Sequence, residues 1–210
     1  MTPEAFVDVL GQAGASAILR TDSQEKAALA MEAAIRGGFR IIEFTLTVPG
    51  AYELVQDFSK REGLVVGTGT VMDETDARKS VEAGARFLVS PVVDEIMIAA
   101  ANELGVASMP GTHSPTEMLR AHRAGAQLCK LFPAPAGGPG WVKSVLGPMP
   151  WLKIVPTNGV DETNIAQWKA AGVFAVGFVA PLFVPEDIAA GRWDAIEARA
   201  GRMIAAVQSA

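Results

Sequence analysis

Two ionisable residues sit where ionisable residues are costly. Lys130 lies in the run LCKLFP (128–133), and Glu43 lies in RIIEFTL (40–46). Both runs are otherwise apolar or β-branched, and lysine and glutamate are seldom fully buried unless paired. Two readings fit. In one, the residues form a buried ion pair that fixes the packing register, a device that adds little stability because desolvation offsets the attraction. In the other, the burial has a chemical use. A desolvated lysine amine is driven toward its neutral, nucleophilic form and can condense with a carbonyl to form a Schiff base. A nearby carboxylate can then carry protons between lysine, carbinolamine and substrate carbon.

The elements that would position these residues recur along the chain. Eight short β-prone runs, at 16–20, 40–46, 64–70, 86–90, 106–111, 128–133, 152–157 and 174–179, alternate with Ala-rich amphipathic segments. Asp22 or Ser23 can cap the first of those segments and Gly37 can stop it. Gly84, Gly125 and Gly172 stand where later helices need a left-handed residue. Strict β/α alternation predicts a parallel sheet. Eight units in 210 residues suit an α/β fold of the (β/α)8 TIM-barrel type, a single domain over 1–210. Residues 3–12 form an extra N-terminal helix across its bottom. An open doubly wound sheet is the rival, but LRTDSQE offers neither GxGxxG nor a Walker loop after the first strand.

Barrel enzymes place their chemistry at strand C-terminal ends, and unusual polar residues gather there: Glu43, Thr45 and Thr47; Thr68 and Thr70; Ser90; Thr112 and His113; Lys130; Thr157 and Asn158. Alternation puts Leu128, Lys130 and Phe132 on one face and Cys129 and Leu131 on the other. It likewise puts Glu43, Thr45 and Thr47 opposite Ile42 and Phe44. The chain has seven lysines, and Lys130 alone falls in mid-strand at the functional end. Thr68 and Thr70 also read as ordinary β formers. His113 reads as a solvated loop histidine, His122 as surface, and the four scattered tryptophans as packing residues.

The bulk composition excludes several classes. Half the residues are hydrophobic, a fifth are charged, and the net charge is −5, with no basic cluster. Nucleic acid is therefore not expected as a partner. No apolar run approaches a membrane span, and the first residues are too polar for a signal peptide, so a cytoplasmic setting is expected. One cysteine, Cys129, rules out an internal disulfide and a cysteine-rich zinc site. No metal and no cofactor are expected.

The segments RIIEFTL, VVGTGTV, FLVSP, MPGT, KLFPA and PTNGV, in this order and spacing, resemble the class I pyruvate-dependent aldolases that act on 2-keto-3-deoxy-6-phosphogluconate (KDPG) and 4-hydroxy-2-oxoglutarate (KHG). The resemblance covers nearly the whole chain. It implies that Lys130 forms the imine with pyruvate and that Glu43 is the general acid/base. It places Thr70, Pro91 and Phe132 around the pyruvate, and Thr157, Asn158, Gly159 and Gly177 toward the rest of the substrate. A cytoplasmic homotrimer is implied as well.

Three positions depart from the family pattern. Thr47 stands where phosphogluconate members carry an arginine, and Arg20 in AILR could supply that charge instead, as in the phosphogalactonate-type relatives. The loops that usually cradle phosphate read Thr157-Asn158-Gly159 and Gly177-Phe178-Val179-Ala180-Pro181, the second lacking the usual glycine and serine. Pro135 stands where a glutamate is common. The imine machinery is complete while phosphate recognition is altered, so a related aldolase acting on an unphosphorylated substrate is an open alternative. A non-catalytic keto-acid-binding barrel with Lys130–Glu43 as a structural pair is another. A phosphate-binding isomerase or decarboxylase fits less well, since those lean on glycine-rich loops after strands seven and eight.

Overall fold

The computed structural model describes residues 1–210. Eight parallel strands run β1 (Ala15–Leu19), β2 (Ile41–Thr45), β3 (Val65–Gly69), β4 (Phe87–Ser90), β5 (Ala107–Thr112), β6 (Cys129–Leu131), β7 (Ile154–Pro156) and β8 (Val176–Phe178). Helices alternate with them: α1 (Pro3–Ala13), α2 (Gln24–Arg36), α3 (Ala51–Phe58), α4 (Glu74–Glu82), α5 (Glu95–Glu103), α6 (Pro115–Arg123), α7 (Gly138–Leu146), α8 (Ile165–Ala170), α9 (Pro185–Ala189) and α10 (Trp193–Ser209). The strand order β7-β6-β5-β4-β3-β2-β1-β8 is that of a barrel. It closes through a parallel bridge between Thr157 and Gly177 and the Phe174 amide donating to Ile154. Each expected strand is present, within two residues at either end.

Every strand residue is buried, as a parallel sheet covered on both faces requires. The side chains divide by parity. Ile42, Phe44, Val66, Leu88, Cys129, Leu131 and Ile154 pack outward against the helices in one large cluster. Ile41, Val65, Phe87, Val89, Met109, Leu128 and Val155 point inward in a second cluster that fills the lower barrel. α1 plugs that end as expected: Phe6, Val7 and Leu10 join the inner cluster, and Phe6 stacks on Phe87 with centroids 4.4 Å apart. Truncating Phe6 would cost about 3–5 kcal/mol, because nothing else can collapse into the plug.

Side-chain caps fix where several helices begin. Thr2, Ser23, Asp73, Asp94 and Ser114 each accept a first-turn amide, Ser114 within a full capping box. Of the two candidates for α2, Ser23 is the cap. Gly84, Gly125 and Gly172 take positive φ as expected, and α2 stops at Gly37 (φ −72), with Gly38 (φ 114) the left-handed residue after it. Gly37 is small for another reason: a Cβ there would collide with Ala200 and the Glu197 carbonyl of α10.

Candidate active site

Above the apolar plug the barrel interior changes character. The inward residues are Glu43 and Thr45 of β2, Lys130 of β6 and Thr157 after β7, and the facing strands contribute glycines. Glu43 pairs in register with Gly67, and Thr45 with Gly69. A Cβ on Gly69 would overlap the Glu43 carboxylate, and one on Gly111 would overlap the Pro91 backbone. One on Gly177 would meet Thr157 and Ile18. The glycines thus make room for the Glu43 carboxylate, the Pro91 backbone and the Thr157 side chain around a cavity of ≈ 260 Å³.

Glu43 is fully buried, and neither carboxylate oxygen has a hydrogen-bond partner. Lys130, in register between Gly111 and Val155, is 9% exposed and opens into the cavity. Its Nζ lies 5.3 Å from the centroid of the Phe132 ring at the mouth. The direct ion pair of the structural reading is not made, since neither Glu43 oxygen has a partner; the two residues interact only through space. Burial dominates both titrations. Desolvation raises the Glu43 pKa above its ordinary 4.5, against the opposing charges of Lys130 and Arg20. Desolvation lowers the Lys130 pKa below 10.5, against the pull of Glu43 and with the help of Arg20. Each group is pushed toward its neutral form. That is the direction an imine-forming lysine needs.

The cavity collects most of the residues singled out in the sequence. Arg20, Thr70, Pro91, Lys130, Phe132, Thr157 and Asn158 all line it. Arg20 reaches the site from the end of β1, its Nη2 donating to Thr70 Oγ1 at 3.2 Å. Thr70 (φ 60) and Asn158 (φ 69) are the two non-glycine residues with positive φ in the chain. Each conformation costs of order 1–3 kcal/mol, and such strain gathers at functional sites. Here both strained residues wall one cavity. The Thr157 hydroxyl is buried without a partner, which leaves it free to meet a polar group placed in the cavity.

Four expected residues do not line the cavity, the first being Glu43, which is fully buried. Thr47 is exposed and bonds only to Thr45 Oγ1, at 2.8 Å. The strand ends at Thr45, so the alternation that carried Glu43 and Thr45 inward stops before reaching it. Gly159 (φ 82) shapes the turn after Asn158, and Gly177 makes space beneath Thr157; neither lines the cavity. Ile18, Thr45, Val179 and Ala180 also line it, though none of them was proposed as a substrate-binding residue. Thr45 had a usable signal, since it shares parity with Glu43. The apolar three had none in their residue types. His113 is exposed, its Nδ1 2.9 Å from the Pro133 carbonyl, and is not part of the lining.

Comparison with known proteins agrees with this geometry. The family model described as KDPG and KHG aldolase matches residues 7–199. A Rhizobium meliloti protein named as a probable 2-dehydro-3-deoxy-6-phosphogalactonate aldolase is 34% identical over 172 residues, 80% of this chain and 81% of that one. A 2-dehydro-3-deoxy-phosphogluconate aldolase of Pseudoalteromonas atlantica is 30% identical over 202 residues, 94% of this chain and 93% of that one. The crystal structure of KDPG aldolase from Legionella pneumophila, with pyruvate captured at low pH as a covalent carbinolamine intermediate, superposes with a TM-score of 0.85. It is 26% identical and covers 94% of this chain and 97% of that one.

Proposed function

The chain belongs to the KDPG and KHG aldolase family, and we propose that Lys130 and Glu43 carry out its chemistry: reversible cleavage of a 2-keto-3-deoxy sugar acid, or of 4-hydroxy-2-oxoglutarate, to pyruvate and an aldehyde. The enzyme is a carbon–carbon lyase of the class I, Schiff-base type, with small molecules as substrates. The observation that carries the assignment of roles is the pairing of a cavity-lining, desolvated lysine with a fully buried carboxyl group that has no hydrogen-bond partner.

The steps follow from these protonation states. The neutral Lys130 amine adds to the C2 carbonyl and gives a carbinolamine. Glu43 in its protonated form gives its proton to the carbinolamine hydroxyl, water leaves, and an iminium forms opposite the new carboxylate. Glu43, directly or through a water it holds, then takes the C4 hydroxyl proton. The C3–C4 bond breaks, the aldehyde departs, and the electron pair moves into the enamine. Glu43 returns the proton to C3. Water then adds to the iminium, giving its proton to Glu43, and the carbinolamine collapses to pyruvate and free Lys130. The iminium is the electron sink throughout.

Around this pair, Arg20 and Thr70 suit the keto-acid carboxylate, with Pro91 and Phe132 closing over the imine. Thr157 and Asn158 face the C4 hydroxyl end. One barrel over residues 1–210 supplies all of these groups, and we expect it to act as a cytoplasmic homotrimer. The test is a cleavage assay that follows pyruvate release from KDPG, its galactonate epimer and 4-hydroxy-2-oxoglutarate. Release from at least one, lost in Lys130→Met, is expected; no release from any of them by the folded protein would overturn the reading.

A further inference from the structure

The site cavity is not the only concavity at the barrel mouth. A second groove of ≈ 350 Å³ lies between the β1–α2 segment, which contributes Arg20, Asp22 and Lys26, and the β8–α9 segment, which contributes Phe183 and Pro185. Arg20 lines both spaces. The loop between them is short: Val179 lines the site, Phe183 lines the groove, and the Phe183 amide donates to the Val179 carbonyl at 2.9 Å. Arg20 and this short loop therefore bound both spaces.

The groove's charges are unpaired. The chain's ion pairs are made by Arg36, Arg61, Arg78, Arg120, Arg192, Arg199 and Arg202. Neither Arg20 nor Lys26 is among them. Arg20 has one hydrogen bond, to a neutral hydroxyl. Asp22 is the single carboxylate in the groove, and its recorded bond is to Thr21. By contrast, the loop after β8 has few donors left for an anion. Pro181 has no N–H, the Leu182 and Phe183 amides are both spent on the Val179 carbonyl, and Ala180 brings no hydroxyl, which leaves the loop only the Val179 and Ala180 amides, both on the site cavity.

Resting on the aldolase reading above, we propose that the anionic terminal group of the substrate's aldehyde half is held in this groove by Lys26, with Arg20 at its inner end, and not by the loop after β8. Lys26 is thus a specificity residue for acceptors that end in phosphate or carboxylate.

Equilibrium binding to the intact protein tests this without turnover. Calorimetric titration uses glycerol 3-phosphate and glycerate as charged three-carbon probes and glycerol as the neutral one. The parent should bind a charged probe, with the preferred one of the two identifying the anion, and should not bind glycerol. Lys26→Gln should weaken the charged probe roughly tenfold, the size of one partly solvated charge-assisted hydrogen bond. Asp22→Asn should tighten it, and Arg123→Gln, on distant α6, should leave it unchanged. No binding by the parent, or equal affinity in parent and Lys26→Gln, overturns the proposal. Borohydride trapping with pyruvate on the same samples reports on Lys130 separately, so loss of one result does not imply loss of the other.

Discussion

Replacing Lys130 with methionine should abolish activity and make the protein more stable. The side chains match in length, so the change removes the amine without opening a large void. In the folded protein Lys130 is 9% exposed, and its charged form is disfavoured by desolvation. Its amine finds no carboxylate oxygen to bond, since both oxygens of Glu43 are without a partner. A buried polar group left without a full partner costs about 1–3 kcal/mol. Because Nζ faces the cavity, the lower part applies, about 1–2 kcal/mol. At this chain length each kcal/mol moves Tm by roughly 2–4 °C, so a rise of roughly 2–8 °C is expected.

The gain should also depend on pH. The folded pKa lies below the ordinary 10.5, so over the interval between them the unfolded chain holds a proton that the folded chain has lost. Parent stability therefore rises with pH across that interval, and the variant lacks this slope. The advantage of Lys130→Met is largest below the folded pKa and shrinks as pH climbs toward 10.5. Urea melts of both proteins at several pH values from about 7 to 10 would read it. If Lys130 were instead the structural partner of Glu43, breaking the pair would destabilise the fold by about 3–5 kcal/mol. A fall in stability of that size would refute the argument.

Glu43→Gln should lower kcat by roughly 10²–10⁴, the usual share of a positioned acid–base group. It should also gain stability relative to the parent as pH rises above 4.5, because the parent's folded state holds a proton there that its unfolded chain has released; urea melts near pH 4.5 and at about pH 7.5 would show the slope. Gly69→Ala should cost about 1–3 kcal/mol and reduce turnover, since the new methyl takes the space of the Glu43 carboxylate, whereas Gly63→Ala, with open space around it, should cost less despite its positive φ. Cys129 is buried and its thiol is pushed up to about 12 by desolvation, so a thiol reagent at neutral pH should label it only on unfolding.

Much of this could be read before any coordinates. In RIIEFTL and LCKLFP the parity of side chains was enough to aim Glu43 and Lys130 into the barrel, because a parallel strand is buried on both faces and a charge among apolar neighbours must then face the interior. The same rule failed at Thr47, where the strand had already ended. That Glu43 and Lys130 do not pair directly was not legible either, since parity gives direction but not distance across a barrel. Ile18 was invisible as a lining residue for a simpler reason: apolar residues near strand ends are the common case. Gly37 was read as the stop of α2, and the helix does end there, but the reason it must be small was hidden, because Ala200 and Glu197 lie far along the chain in α10. The groove with Lys26 needed the loop after β8 brought beside the loop after β1, an adjacency only the closed barrel creates.

The central claim is that Lys130 forms the covalent bond to the keto acid. The direct measurement is intact mass and peptide mapping after incubation with pyruvate and sodium borohydride, alongside Lys130→Ala. The account predicts a reduced pyruvyl adduct on the peptide containing Lys130 and none in the variant. A folded parent protein that acquires no adduct, or acquires it on another lysine, would contradict it.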